Sequence, residues 1–424
     1  MIVYKFGGAS VSDAAAVQNA SRIIQTCTED HLVVVQSAMG KTTNLLEELW
    51  AAWCDGERVD EVLDNFERYH LTIAADLGLK ANESEEVEAL FVKLRDIVSE
   101  APGSNHALAY DKVVAYGELV GTRLMHAWLL RSGMPVEWLD ARHVIVTDSA
   151  HRSAIVDWER SRRGADVMKA HFQKGERKIL ITQGFIARSS IGNTSTLGRE
   201  GSDYTAAILA FLLDATSVTI WKDVPGMLNA DPKWFNNTEQ IKALSFREAI
   251  ELSYYGASVI HPKTIKPLQN KNIPLFVKSF KDPAHVGTII RGEAPLDPAV
   301  PLYIFKPNQI LISISPRDFS FIIESNLRDI FQALADLGIA VHLMQNSAIS
   351  FSICVDDDER RIGAFIQLMM TSYAVRYNKG VELWTIRHYD EETARKLTAG
   401  KEILLEQRSR QTLRMVMRLP ETQG

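Results

Sequence analysis

Short apolar runs alternate with amphipathic stretches over the first two-thirds of the chain. Ile2-Val3-Tyr4, Val33-Val34-Val35, Ile179-Leu180-Ile181 and Val218-Thr219-Ile220-Trp221 are strand-length segments lacking the polar alternation of a half-exposed sheet. Such runs predict strands buried on both faces. Residues 13–26, 44–53 and 204–213 carry helical patterns between them. The order predicts an α/β fold, a mostly parallel sheet sandwiched by helices. Residues 55–108 are charged, helical and poor in strand formers, which predicts an inserted helical subdomain. Ser245-Phe246-Arg247-Glu248 reads as a capping box and Gly256 as the glycine after that helix's end.

The pattern then changes. Pro295, Pro298 and Pro301 mark 291–301 as a stiff connector without a hydrogen-bonding pattern, and as a domain boundary. Beyond it, strand 310–314, helix 327–337, strands 340–344 and 349–355, helix 362–370 and strand 374–377 follow in order. This βαββαβ sequence is the ferredoxin-like arrangement. A second round starts at Val381 and stops before its second helix, so it reads as a shortened copy. The expected division is 1–290, a linker at 291–301, 302–380, and 381–424.

Composition narrows the classes. A chain of 424 residues exceeds one compact core. Its net charge of −6 is spread without a basic stripe or cluster, which argues against nucleic acid and against a membrane surface. The longest apolar stretches, such as 206–213, end after about two helical turns, too short to span a bilayer. The N-terminus has no charged segment leading into an apolar one. Three widely spaced cysteines without CxxC read as reduced packing residues of a cytoplasmic protein.

Candidate chemistry begins at Lys5-Phe6-Gly7-Gly8-Ala9-Ser10, where a strand runs through a glycine pair into a helix. At such a junction backbone N–H groups can face an anion, and the lysine can add a point charge. An ordinary tight turn is the competing reading. Thr194-Ser195-Thr196-Leu197-Gly198-Arg199-Glu200-Gly201-Ser202-Asp203-Tyr204-Thr205 leads into the helix 204–213, with Ser202 or Asp203 at its N-cap. Arg199 between glycines suits a bidentate grip on a carboxylate. Gly40-Lys41-Thr42 invites a phosphate-loop reading that fails, because the motif's first glycine would fall at Val35. Ser37 and Thr43 still offer hydroxyls where open α/β sheets bind ligands, with an N-cap as the alternative. Lys222-Asp223 follows a strand and Ala230-Asp231-Pro232-Lys233 closes the same loop. Read alone, Glu118 is an acid on a solvated helix face and His261 a structural residue.

Taken in order, these segments resemble the aspartate kinase family of the amino-acid kinase superfamily. Val146-Thr147-Asp148, Gln183-Gly184-Phe185, Asp223-Val224-Pro225-Gly226 and Gly256-Ala257 with His261-Pro262 extend the match, and the tail resembles paired ACT domains. The resemblance implies the amino-acid kinase fold followed by ferredoxin-like ACT domains. It implies ATP-dependent phosphorylation of the β-carboxylate of L-aspartate, the first step toward lysine, threonine and methionine. By the same resemblance Lys5 and Asp203 are catalytic, Lys5, Gly7 and Gly8 hold the ATP phosphates with Ser37 near them, and Phe6 belongs to the same ATP-binding segment. Lys222, Asp223, Leu228, Lys233 and Ser258 border the nucleotide. Thr43, Glu118, Arg199, Gly201 and Ser202 hold aspartate, with Glu118 on the ammonium. Mg²⁺ is expected to arrive with ATP, and no protein side chain is assigned as its ligand. An amino-acid effector at the ACT domains and a homodimer or larger homo-oligomer are expected, without nucleic acid or membrane partners.

Several positions depart from the family pattern: Ala9 for a common Thr, Gly121 for Ser, Glu200 for Gly, Lys222 for Thr, Leu228 for Tyr, and Ser258 for Lys. A glutamate or acetylglutamate kinase fits less well, given the ACT-like tail and the 37–44 loop. An ATP-incompetent amino-acid sensor is disfavoured by the intact Lys5, Arg199 and Asp203. A fused homoserine dehydrogenase is not expected, because too few residues follow the first ACT-like strand. His342 and Ala348 stand where lysine-sensing relatives often carry acids, so lysine is expected to bind weakly.

Overall fold

The computed structural model describes residues 1–172, 178–257, 260–318 and 320–418. It forms two compact units: Met1–Met227 with Gln240–Ser253 and Ser258–Pro298, and Leu228–Glu239 with Tyr254–Ala257 and Ala299–Gly424.

The first unit is built on an eight-stranded sheet. Its spatial order is Ala243–Ser245, Thr288–Arg291, Leu275–Ser279, Ser217–Lys222, Ile2–Phe6, His31–Gln36, Lys178–Gln183 and Val136–Leu139. All neighbours run parallel except Leu275–Ser279 against Thr288–Arg291. Val3, Val33, Val34, Val35, Leu180, Ile181, Val218 and Ile220 are fully buried, as continuous apolar strands covered on both faces must be. Asp13 opens the helix Ala14–Gln25, its Oδ1 accepting from the N–H of Ala16 at 2.9 Å.

Residues 55–108 hold the helices Asp60–Asp76 and Ala81–Ser99. Their Leu63, Phe66, Phe91 and Leu94 join the same apolar core as Leu46 and Leu49 of Thr42–Cys54 and Val113 and Leu124 of His106–Arg131. The insertion therefore shares the core beside the sheet instead of building its own. Among the described residues, no helix is long and apolar enough to cross a membrane.

The proline connector is more tied than its composition suggests. Asp297 exchanges backbone hydrogen bonds with Ala243, at 2.9 Å and 3.2 Å, and its carbonyl also accepts from Lys242 N–H at 2.6 Å. Ala243–Ser245 is an edge strand, and its open N–H and C=O groups capture a passing extended segment.

The second unit contains one six-stranded antiparallel sheet, ordered Val341–Asn346, Phe351–Asp356, Leu302–Pro316, Tyr373–Arg387, Thr412–Arg418 and Glu402–Arg408. Two of these strands run fifteen residues each, through both halves. Reading the tail as consecutive copies thus missed that 302–306 pairs with 383–387, outside the first βαββαβ round. The register shifts around Gln309, beside left-handed Asn308, divide the long strand into its two halves. Helices Glu324–Asp336 and Glu359–Met370 cover the first half through Ile330, Leu334, Ile362 and Phe365. Glu391–Thr398 covers the second through Ala394 and Leu397, together with Phe235 from the Leu228–Glu239 segment.

Candidate active site

At the carboxyl ends of the central strands, Phe6 O accepts from Ser37 N–H at 3.0 Å and Gln36 O from Gly184 N–H at 2.8 Å. The loop after Ile2–Phe6 is thereby laid against the loop after His31–Gln36, and Gly40 N–H donates to Gly8 O at 3.0 Å. Gly8 is required by this approach. A Cβ there would lie 2.6 Å from Gly40 O and 2.9 Å from Ala38 O, both backbone atoms. Phe6 contributes main chain only, since its ring is fully buried and stacks on Trp221 at 6.1 Å.

The side chain of Lys5 is 9% exposed and its Nζ lies 2.6 Å from Oδ1 of Asp203. Lys222 Nζ approaches Oδ2 of the same carboxylate at 3.5 Å. Burial would push the Asp203 carboxyl up, but Lys5 and Lys222 outweigh it and hold the group below its ordinary value. The N-cap role expected for Asp203 is not the one it takes. The helix begins earlier, at Gly201, from a left-handed Glu200 with no side-chain cap, and Asp203 lies in its first turn. Thr43 is likewise not a cap. The helix Thr42–Cys54 starts without one, and the Thr43 hydroxyl has no hydrogen bond among the described residues.

Glu118 overturns the solvated-face reading. It is 2% exposed, one carboxylate oxygen accepting from Ala38 N–H at 3.3 Å and the other buried without a partner. Burial raises its pKa to about 8, only partly offset by Ala38 N–H and by Lys5. A buried carboxyl with an open oxygen is suited to receive a ligand's ammonium.

Lys5, Ser37, Thr43, Glu118, Arg199, Gly201, Ser202, Asp203 and Lys222 line one cavity of about 570 Å³. Gly7 borders it, a Cβ there falling 3.4 Å from Lys5 Nζ. Asp223, Leu228 and Lys233 do not line it. Asp223 is exposed, and Leu228 and Lys233 belong to the segment grouped with the second unit. Ser258 lies outside the described residues. The cavity also contains Glu47, Tyr110, Arg152, Phe185 and Glu200, to none of which the sequence assigned a role, although Phe185 and Glu200 lie in segments that carry the resemblance. Tyr110 and Glu47 sit on helices like any amphipathic position, and only packing brings them here.

The cavity carries two chemically distinct sets of groups. Two lysines, the Ser37 hydroxyl and the first turn of a helix favour transferring phosphates. Arg199, Glu118 and Thr43 offer a cation, an acid and a hydroxyl, the complement of an amino acid. A divalent cation fits as a group carried on nucleotide phosphates. Among the described residues, no three His, Cys, Asp or Glu side chains are placed to hold a metal, and Asp203 is already engaged by two lysines.

Comparison with known proteins gives the family. Residues 1–279 match the amino acid kinase family. Lysine-sensitive aspartokinase 3 of Escherichia coli (strain K12) is 33% identical over 357 residues, covering 84% of this chain and 78% of that protein. The crystal structure of E. coli aspartokinase III with aspartate and ADP superposes with a TM-score of 0.80 at 28% identity, over 98% of this chain and 96% of that one. Its complex with lysine and aspartate gives 0.83, over 98% and 95%. The family match covers well over half of the chain and the 33% identical relative most of both lengths, so the chain belongs to the aspartokinases of the amino acid kinase family.

Proposed function

We propose that the chain transfers the γ-phosphoryl group of ATP to the β-carboxylate of L-aspartate, with Lys5 and Asp203 at the point of transfer. The observation that carries this is the Lys5–Asp203–Lys222 cluster lining one cavity with Glu118 and Arg199. A carboxylate is already ionised and nucleophilic at neutral pH, so no general base is needed. What remains is to align two anions and offset their repulsion. Lys5 supplies positive charge at the transferring group, and Asp203 orients its ammonium within the site. Lys222 adds a second charge, and Ser37 with the first turn of Gly201–Leu213 supplies hydrogen-bond donors. Arg199 takes the substrate's α-carboxylate, Glu118 its ammonium, and Thr43 a carboxylate oxygen. The divalent cation, for which we propose Mg²⁺, offsets phosphate charge when bound with ATP.

The E. coli relative has been captured with lysine, which supports an amino-acid effector for this chain, and the ACT-like C-terminal unit is where we place it. Phe321, Ile323, Met344 and Ile349 of that unit are 69%, 53%, 53% and 46% exposed. Large apolar side chains left open in this way support a homodimer formed through the ACT-like sheet.

Turnover decides the reading. With aspartate, glutamate and N-acetylglutamate offered side by side in a coupled ADP-release assay, aspartate alone should give rapid turnover and an acyl phosphate trapped by hydroxylamine. Preference for either of the others would refute the assignment.

A further inference from the structure

We propose that Arg152 is a second carboxylate-binding residue of the amino-acid pocket, acting with Arg199 on the substrate carboxylate remote from the phosphoryl end. The inference rests on the reading of this cavity as an aspartate site.

Arg152 lines the cavity together with Arg199. The loops carrying the two arginines touch. Ala154 N–H donates to Thr196 O at 2.9 Å, and a Cβ on Gly198 would fall 3.3 Å from Arg152 O. Gly198, at φ +76°, turns the chain directly before Arg199, so both guanidiniums leave adjoining backbone.

The backbone of Arg152 is held in an unfavourable state. Its φ is +66°, the left-handed region that a long side chain avoids and glycine accepts. Asp111 imposes that state. Fully buried, it accepts from Arg152 N–H at 3.1 and 3.2 Å, from Thr196 Oγ1 at 2.6 Å, and bonds His151 Nδ1 at 2.7 Å. This anchor uses only the backbone of residue 152, so it would hold equally well with glycine.

The side chain is aimed as well as anchored. Its guanidinium carbon lies 4.4 Å from the centre of the Tyr110 ring and 5.1 Å from that of Trp50. Tyr110 is fixed in turn by its hydroxyl, which donates to Glu47 at 2.7 Å. A guanidinium held against aromatic rings by its charge still has N–H donors to offer a planar acceptor. Neither Arg152 nor Arg199 meets a carboxylate among the described residues. Two such guanidiniums on adjoining loops suit one carboxylate gripped from both sides. An arginine at an exposed left-handed position gains little for the fold, which turns the strain into a pointer to ligand binding.

The test is Arg152→Gly, which removes the guanidinium and relieves the backbone together. The expected result is a melting temperature equal to or above wild type. The Michaelis constant for aspartate should rise about tenfold or more, with kcat and the constant for ATP within about twofold. Calorimetric titration of aspartate into the full chain should show the same weakening, and Arg152→Lys should recover part of it. An aspartate constant within about twofold of wild type in R152G would overturn the proposal. So would a loss of thermal stability in step with affinity that Arg152→Lys leaves uncorrected, since the arginine would then be bracing its loop. A wild-type chain that does not phosphorylate aspartate refutes the underlying function instead.

Discussion

The Nζ of Lys5 lies 2.6 Å from Oδ1 of Asp203, joining the end of the first strand to the first turn of Gly201–Leu213. Both side chains are almost fully buried. A buried pair of this kind contributes little net stability but fixes the position of its charges. Lys5→Ala should lower kcat roughly 10²–10⁴-fold, about 3–5 kcal/mol of transition-state stabilisation. Aspartate binding, measured without ATP at about pH 9 where Glu118 is ionised, should change little. Turnover within threefold of wild type would show that Lys5 is not at the point of transfer.

Gly8 tests the cradle without touching a charge. Its missing Cβ leaves room for Gly40 O and Ala38 O, which belong to backbone and cannot rotate away. Gly8→Ala should force the two loops apart, costing about 1–3 kcal/mol of stability and weakening ATP more than aspartate. A melting temperature and ATP constant equal to wild type would mean that the loops part freely.

Arg199 should behave in the opposite sense. It is exposed in the free protein, so its loss leaves no buried charge behind. Removing a charge-assisted contact to a carboxylate costs about 1.5–3 kcal/mol. Arg199→Ala should therefore raise the aspartate Michaelis constant roughly 10- to 100-fold, leaving that for ATP within twofold. A larger effect on ATP than on aspartate would place this loop on the nucleotide.

What was legible in the sequence follows from which constraints are local. Lys5, the Gly7-Gly8 pair and Arg199 stood out because strand ends, glycine turns and helix starts announce themselves in order along the chain. Asp203 was expected as a cap because a short acid before an apolar helix usually is one. Its partner Lys5 becomes adjacent only when the sheet forms, and Glu118 is buried for the same reason. Tyr110, Glu47 and Arg152 carry no local signal. An arginine in left-handed backbone looks like any other arginine in a loop until Asp111 is seen holding its N–H. The long strands Leu302–Pro316 and Tyr373–Arg387 were read in pieces because the irregularity around Asn308 and polar residues such as Asn378 and Lys379 interrupt their apolar runs.

The environment of His342 bears on the effector. Its Nε2 lies 2.9 Å from Asp356, its Nδ1 3.1 Å from Lys306 Nζ, and its carbonyl accepts from Arg414 at 2.7 Å. Two cations already converge on this residue, so an ammonium side chain should be poorly received beside it. Introducing His342→Asp should lower the lysine concentration for half-inhibition of the full-length enzyme about tenfold or more. Inhibition curves for lysine, threonine and methionine on both proteins would measure this, and lysine curves that coincide would show that the effector does not approach His342.

Glu118 gives the site a pH dependence whose sign can be worked out. Burial raises its pKa from 4.5 to about 8, so the folded chain without substrate favours the neutral acid. The stability this lends is fully present below about pH 4.5 and is lost as the pH rises through about 8. An aspartate ammonium needs the ionised form, so binding below pH 8 must drive a proton off Glu118. Aspartate affinity should then fall as the pH drops from 8 toward 6, approaching about tenfold per unit at the lower end. Calorimetry near pH 7 in buffers of different ionisation enthalpy should record close to one proton released per aspartate bound. Glu118→Gln should bind aspartate weakly with a flat pH profile, and should lose less stability than wild type between pH 7 and 9. Binding at pH 7 with no proton release would mean that Glu118 is already ionised in the free site, and that its carboxylate has a partner other than the substrate.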